Sequence, residues 1–223
     1  MKFRHELKYE INESDLISVR QRLRAVAKID SHAVDGKYVI KSLYFDNDKN
    51  KALNEKIDGV NYREKFRIRL YNNDFSFITL EKKSKINGLC NKLSTRLTYE
   101  QTKQIINGDY EFLKSSDDEL MQEFYSKLNS QLLKPKTVVE YAREPYIYPA
   151  GNVRVTFDYN IRTGIKSTDL LNHGMITVPA GRDVIIMEVK WDEYLPDVIK
   201  TAVSVADRRT NAFSKYAVCR IYG

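Results

Sequence analysis

Tyr62-Arg63-Glu64-Lys65-Phe66-Arg67-Ile68-Arg69-Leu70-Tyr71 reads as a β-strand with two unlike faces. Successive side chains of a strand point to opposite sides. Arg63, Lys65, Arg67 and Arg69 therefore share one face, and Phe66, Ile68 and Leu70 the other. Four neighbouring cations repel one another unless water or a bound polyanion offsets their charge. A solvated sheet face would use water, so what matters is whether the pattern repeats. Arg4, Glu6, Lys8 and Glu10 alternate with Phe3, Leu7, Tyr9 and Ile11. Thr79, Glu81 and Lys83 lie opposite Ile78 and Leu80; Arg154, Thr156 and Asp158 opposite Val153, Val155 and Phe157; Glu188 and Lys190 opposite Met187, Val189 and Trp191. A solvated face would carry more Ser, Thr, Asn and Gln. The repetition predicts charged faces that converge on an interior and apolar faces that look outward.

Punctuation along the chain supplies the remaining elements. The strand at 3–11 leads to Ser14 as a helix N-cap, with Leu16, Val19, Leu23 and Val26 as the buried stripe. A strand at 37–46 and a short helix at 48–56 precede the Asp58-Gly59 turn, and Asn72-Asn73-Asp74 closes a hairpin after the basic strand. A strand at 75–83, a loop at 84–88 and a strand at 92–97 follow. Thr98 and Gln101 form a capping box for a helix that Gly108 ends. Asp117 opens a helix with Leu120, Phe124, Leu128 and Leu132 in step. Strands are read at 138–143, 153–159, 161–166 and 184–191, a helix after Pro196, and a final strand from Ser214 to Tyr222. About eight antiparallel strands with interspersed helices predict one α+β domain over residues 1–223, an eight-stranded antiparallel β-barrel tunnel with a charged interior and helices packed outside.

Composition agrees with an anionic ligand. The net charge of +7 favours a polyanion, and charge alternating within apolar-backed strands favours an interior site over a nucleic-acid-binding surface. Cys90 and Cys219 lack metal-binding or redox spacing and read as reduced thiols, and His5, His32 and His173 stand apart. No secretory leader and no apolar run of roughly 18 residues is found, which predicts a cytoplasmic protein without a membrane span. There is no glycine-rich phosphate loop, so side chains must do the binding. Guanidinium groups grip phosphate oxygens in bidentate fashion, and ammonium groups neutralise charge. Carboxylates among the cations point either to salt-bridge partners or to ligands of Mg²⁺ or Mn²⁺, with Glu6, Glu81, Asp158 and Glu188 as candidates. Phosphoryl transfer needs chiefly positioning and charge stabilisation, which such a set supplies.

An ordered series of motifs resembles the VTC domain, the polyphosphate polymerase domain of vacuolar transporter chaperone complexes and a relative of the CYTH phosphatases among the triphosphate tunnel metalloenzymes. It comprises Arg4-His5-Glu6-Leu7-Lys8-Tyr9-Glu10, Ser42-Leu43-Tyr44-Phe45-Asp46-Asn47, Phe66-Arg67-Ile68-Arg69-Leu70-Tyr71, Glu81-Lys82-Lys83, Tyr141-Ala142-Arg143, Arg154-Val155-Thr156-Phe157-Asp158, Glu188-Val189-Lys190 and Ser214-Lys215-Tyr216. The resemblance implies metal-dependent transfer of the γ-phosphate of ATP to inorganic polyphosphate, with release of ADP. It implies that Arg67 and Arg69 hold the triphosphate, and that Lys8, Lys83, Arg143, Arg154 and Lys215 line the path, with Lys56 and Lys92 near basic positions. Arg4, Arg63, Lys65 and Ser214 complete the substrate-binding set. Glu188 is implied as the Mn²⁺ or Mg²⁺ ligand, Lys190 as its phosphate-binding neighbour and Asp158 as a lesser metal candidate. Glu6-x-Lys8 lacks the fuller Glu-x-Glu-x-Lys of the CYTH phosphatases, which favours the polymerase branch. The SPX domain and membrane helices of the eukaryotic complexes have no counterpart in these motifs. A hydrolase or a polyphosphate-binding module on the same fold is the alternative.

Overall fold

The alternation that sets two faces on each strand also sets which way the sheet curls. In the computed structural model, which describes residues 4–222, the strands are β1 (His5–Ile11), β2 (Lys28–Ile29), β3 (Tyr38–Asp46), β4 (Arg63–Tyr71), β5 (Asp74–Ile86), β6 (Leu89–Leu97), β7 (Lys134–Tyr148), β8 (Val153–Thr163), β9 (Val178–Pro179) and β10 (Ile185–Trp191). The helices are α1 (Glu13–Val26), α2 (Lys51–Ile57), α3 (Tyr99–Asn107), α4 (Glu119–Ser130), α5 (Asp197–Ala202) and α6 (Lys215–Ile221). Phe3, the first outward residue of the N-terminal pattern, lies outside the described residues. An antiparallel path runs β1-β10-β8-β7-β3-β4-β5-β6, with β2 and β9 added at its margins. It curls into a half-barrel whose two end strands meet at one bridge: Arg4 N donates to Cys90 O at 3.0 Å, and Cys90 N to Arg4 O at 3.3 Å. Further along β1, the segment after α5 takes over that edge, with Asn211 N donating to Lys8 O at 2.8 Å.

The convex face is apolar and is covered by helices. Phe45, Phe66, Ile68, Leu80 and Val138 pack under α3 and α4 through Ile105, Leu120, Phe124 and Leu128. Val155, Phe157, Met187 and Val189 pack under α1 and α5 through Leu16, Val19, Leu23 and Ile199. Such burial is the main stabilising term of the fold. The concave face divides in two. One end carries the charged side chains; the other is lined by Tyr38, Ile40, Tyr44, Val139, Tyr141, Ile161 and Ile186 and capped by Tyr216 and Cys219 of α6.

Several local expectations need correction. Residues 214–222 form a helix, not a strand: the Ser214 hydroxyl accepts from Ala217 N at 3.3 Å, and Tyr216 and Cys219 fall on one face three residues apart. The N-cap of α1 is Asn12, which forms a reciprocal box with Asp15, and Ser14 lies within the helix. Leu132 falls beyond α4 in a left-handed conformation. Residues 84–86 continue β5, and only Asn87-Gly88 turns, both with positive φ, as a tight hairpin requires. Residues 153–163 form one strand. At Asn160 (φ 52°) the register to β7 shifts, so that Asp158 and Ile161, three residues apart, both face the hollow.

Candidate functional site

Four carboxylates organise the charged end of the hollow. Glu81 on β5, 2% exposed, takes Arg67 Nε at 2.7 Å and Lys92 at 2.9 Å, with Arg69 at 3.7 Å. Cross-strand register brings this about, since Arg67 lies opposite Glu81. Asp158 on β8, fully buried, receives Arg143 Nε and Nη2 at 2.6 Å each and Lys215 at 2.5 Å. Glu188 on β10 lies among Lys190 at 3.2 Å, Arg143 at 3.3 Å and Lys8 at 3.6 Å. Glu6 on β1 meets Lys83 at 2.7 Å, Lys8 at 3.2 Å and Lys190 at 3.5 Å. Tyrosines link the groups. Arg67 donates to Tyr44 Oη at 2.7 Å and Arg69 to Tyr141 Oη at 3.2 Å, while Lys215 lies 4.6 Å from the centre of the Tyr141 ring.

Nine cationic side chains of the wall (Lys8, Lys65, Arg67, Arg69, Lys83, Lys92, Arg143, Lys190 and Lys215) face these four carboxylates, a surplus of five positive charges when every one of them is ionised. The surplus shows in the titration of the groups. Burial opposes ionisation of Glu188, but Lys190, Lys8, Arg143 and Lys83 together hold its carboxyl well below the usual range. Glu81 is lowered likewise by Arg67, Arg69 and Lys92 against its burial. Glu6 is brought to about 2, where Lys83, Lys8 and Lys190 outweigh burial and the repulsion of Glu188. Lys65, which has no carboxylate partner among the described residues, is depressed to about 7 by burial and by neighbouring Lys83, Arg67 and Lys8. Lys190 is lowered to about 8, mainly by burial. The hydroxyls of Thr79 and Thr156, both buried and flanking charged residues on these strands, make no hydrogen bond among the described residues.

The remaining sequence candidates make other contacts or lie at the margin of this set. Arg4 is drawn to Asp192 at 2.9 Å and to the Asn152 carbonyl. Arg154 is held by Asp30 at 2.8 Å and Tyr38 at 2.5 Å. Arg63 donates to Val60 O at 2.5 Å, and Lys56, at the end of α2, is lowered by burial and by the nearby charges of Arg63, Lys8 and Lys85. Ser214 serves as the α6 N-cap. Ser42, Tyr44, Tyr141 and Thr156 belong to the wall without being singled out by sequence. A partial signal exists, since Tyr141 is in phase with Arg143 and Thr156 with Arg154 and Asp158, whereas Ser42 and Tyr44 share their phase on β3 only with Asp46. An open cleft of about 600 Å³ between Glu10, Asn12, Asp183, Asp207 and Arg208 lies outside the charged set.

For a divalent cation the four carboxylates are not equivalent. All four are paired with cations, Asp158 with two, Glu81 with three and Glu6 and Glu188 with three each, so pairing alone does not set them apart. Glu6 and Glu188 share Lys8 and Lys190 and repel one another. A Mg²⁺-like ion needs one or two carboxylates and takes its other ligands from phosphate and water, so this pair fits it. Among the described residues no group of three or more His, Cys, Asp or Glu side chains is arranged to hold a metal by itself.

The sequence profile of the VTC domain matches residues 3–221. No curated protein matches the chain. Among solved structures, a candidate adenylate cyclase from Bacillus halodurans is similar, with a TM-score of 0.52 at 14% identity over 85% of this chain and 80% of that one. A candidate adenylate cyclase from Vibrio parahaemolyticus has a TM-score of 0.46 at 10% identity over 90% and 82% of the two chains. The Bacillus likeness shows a shared tunnel fold, and fold and family together support a phosphate-related function. No helix among the described residues is long and apolar enough to cross a membrane.

Proposed function

This chain belongs to the VTC domain family, and from that premise we propose that it is a polyphosphate polymerase, transferring the γ-phosphoryl group of ATP to the end of an inorganic polyphosphate chain. The observation that carries the reading is the surplus of cations on a buried wall. Uncompensated buried charge is costly, and a linear polyanion supplies the missing negative charge along its whole length. Arg67, Arg69 and Arg143, fixed by Glu81 and Asp158, present guanidinium forks where a transferring phosphoryl group develops charge. Lys8, Lys83 and Lys190 neutralise the flanking phosphates. A terminal phosphate oxygen of the acceptor chain attacks the γ-phosphorus, the bond to the β-phosphate oxygen breaks, and ADP leaves with that electron pair. Glu6 and Glu188 would hold Mg²⁺ or Mn²⁺, which when bound supplies Lewis-acid neutralisation of phosphate oxygens. The test is ³¹P NMR of the protein with ATP, Mg²⁺ and a short polyphosphate primer. Growth of internal-phosphate resonances with release of ADP is expected. Orthophosphate as the sole product would make water the acceptor and the protein a hydrolase, and an unchanged spectrum would leave a binding module.

A further inference from the structure

Among the groups on the concave wall whose hydrogen bonding is incomplete, Tyr44 is the one set directly against Arg67. It stands on β3 and is 3% exposed, with its hydroxyl accepting from Arg67 Nη1 at 2.7 Å. Among the described residues that hydroxyl donates to nothing. The charged groups facing it are cationic: Arg67, Lys65 and Arg69, all from β4, with Lys65 Nζ 5.2 Å from the ring centre. Glu81, the carboxylate opposite Arg67, is taken up by that arginine. From α6, the Tyr216 ring stacks on Tyr44 at 4.9 Å, and Tyr216 Oη donates to Asp46 at 2.7 Å. Ala52 and Leu53 of α2, in the same cluster, are apolar. The ring is thus clamped beside cations, and among the described residues no acceptor takes its O–H.

We propose that Tyr44 is a phosphate-binding residue of this site, donating its phenolic proton to a phosphate oxygen that Arg67 grips from the other side. The assignment rests on the phosphate reading of the hollow and adds a ligand to it. A phenol donating to an anionic oxygen forms a strong, charge-assisted hydrogen bond. It also makes binding depend on the proton. Burial resists ionisation of Tyr44, but Arg67, Lys65 and Arg69 outweigh it and bring the phenol to about 7. At pH 8 the free protein therefore holds largely phenolate, which pairs with Arg67 and competes with phosphate, and a chain that binds there must restore the proton.

The test compares the wild type with Tyr44→Phe, which keeps the ring and its stack on Tyr216. Inorganic tripolyphosphate is titrated calorimetrically at pH 6.5 and pH 8, in buffers of different ionisation enthalpy to count protons. Tyr44→Phe should bind about tenfold more weakly at pH 6.5 and take up about one proton fewer per tripolyphosphate at pH 8. Equal affinity and equal proton uptake would overturn the proposal. Weaker binding with unchanged proton uptake would also overturn it, because a merely structural role does not move the proton count. If the wild type itself fails to bind tripolyphosphate, the phosphate reading falls and the assignment of Tyr44 falls with it.

Discussion

Replacing Glu81 by Gln should destabilise the free protein and at the same time favour its complex with an anion. The carboxylate is 2% exposed and meets Arg67 at 2.7 Å, Lys92 at 2.9 Å and Arg69 at 3.7 Å. At an effective dielectric constant near 20, each contact of this length is worth roughly 4 kcal/mol before desolvation. Desolvation cancels most of that, and removing one partner of a buried pair costs about 3–5 kcal/mol, because the other charges stay buried and uncompensated. For a chain of this size each kcal/mol lowers the melting temperature by about 2–4 °C, so a fall of roughly 6–20 °C is expected at pH 7. The pH dependence has a definite sign. Glu81 is held well below its ordinary value of 4.5, so its stabilisation is complete above that value and is lost as pH falls through the lower, folded-state one. The gap between wild type and variant should therefore persist from pH 7 to pH 5 and close only in stronger acid. Tripolyphosphate, which offers the freed guanidiniums new oxygens, should raise the melting temperature of Glu81→Gln more than that of the wild type. Calorimetric melting with and without tripolyphosphate measures both effects. A variant that melts within about 2 °C of wild type at pH 7 would refute the claim that Glu81 anchors the cationic wall.

Arg143→Ala, which strips partners from both Asp158 and Glu188, should lower turnover of ATP at least about a hundredfold, whereas Arg143→Lys, with one charge and no fork, should recover only part of it; steady-state release of ADP reads both. The affinity of the wild type for tripolyphosphate should fall as pH rises from 7 to 9, because Lys65 in the free protein loses its proton near 7 and binding must restore it. Titration at several pH values should show a flatter profile for Lys65→Met. Tyr216→Phe removes a donor from the buried carboxylate of Asp46 and should cost about 1–3 kcal/mol in urea unfolding.

The sequence discloses what depends on local alternation and hides what depends on distant partners. The phase of β4 alone places Arg67 and Arg69 on the inner face, because a strand has a period of two and Phe66, Ile68 and Leu70 must be buried. The same logic places Glu81, Asp158, Glu188 and Lys190 together on the wall. It fails at Asn160, where a left-handed residue resets the phase so that one strand looks like two. Ser214-Lys215-Tyr216 reads as a strand because three residues cannot distinguish the two periods, and it is packing of Tyr216 and Cys219 against the hollow that selects helix. Arg4 and Arg154 share the phase of the charged faces but are claimed by Asp192 and Asp30, remote in sequence. Tyr44 and Tyr141 do not stand out because tyrosines on strands read as packing residues, and their hydroxyl contacts with Arg67 and Arg69 follow from the register of neighbouring strands.

A crystal structure with tripolyphosphate bound tests the central claim most directly. The phosphates are expected on the concave wall, within hydrogen-bond distance of Arg67, Arg69, Arg143 and Lys190. Phosphates bound instead in the cleft lined by Asp183 and Arg208, or on the outer surface with the wall side chains still paired to Glu81, Asp158 and Glu188, would contradict it.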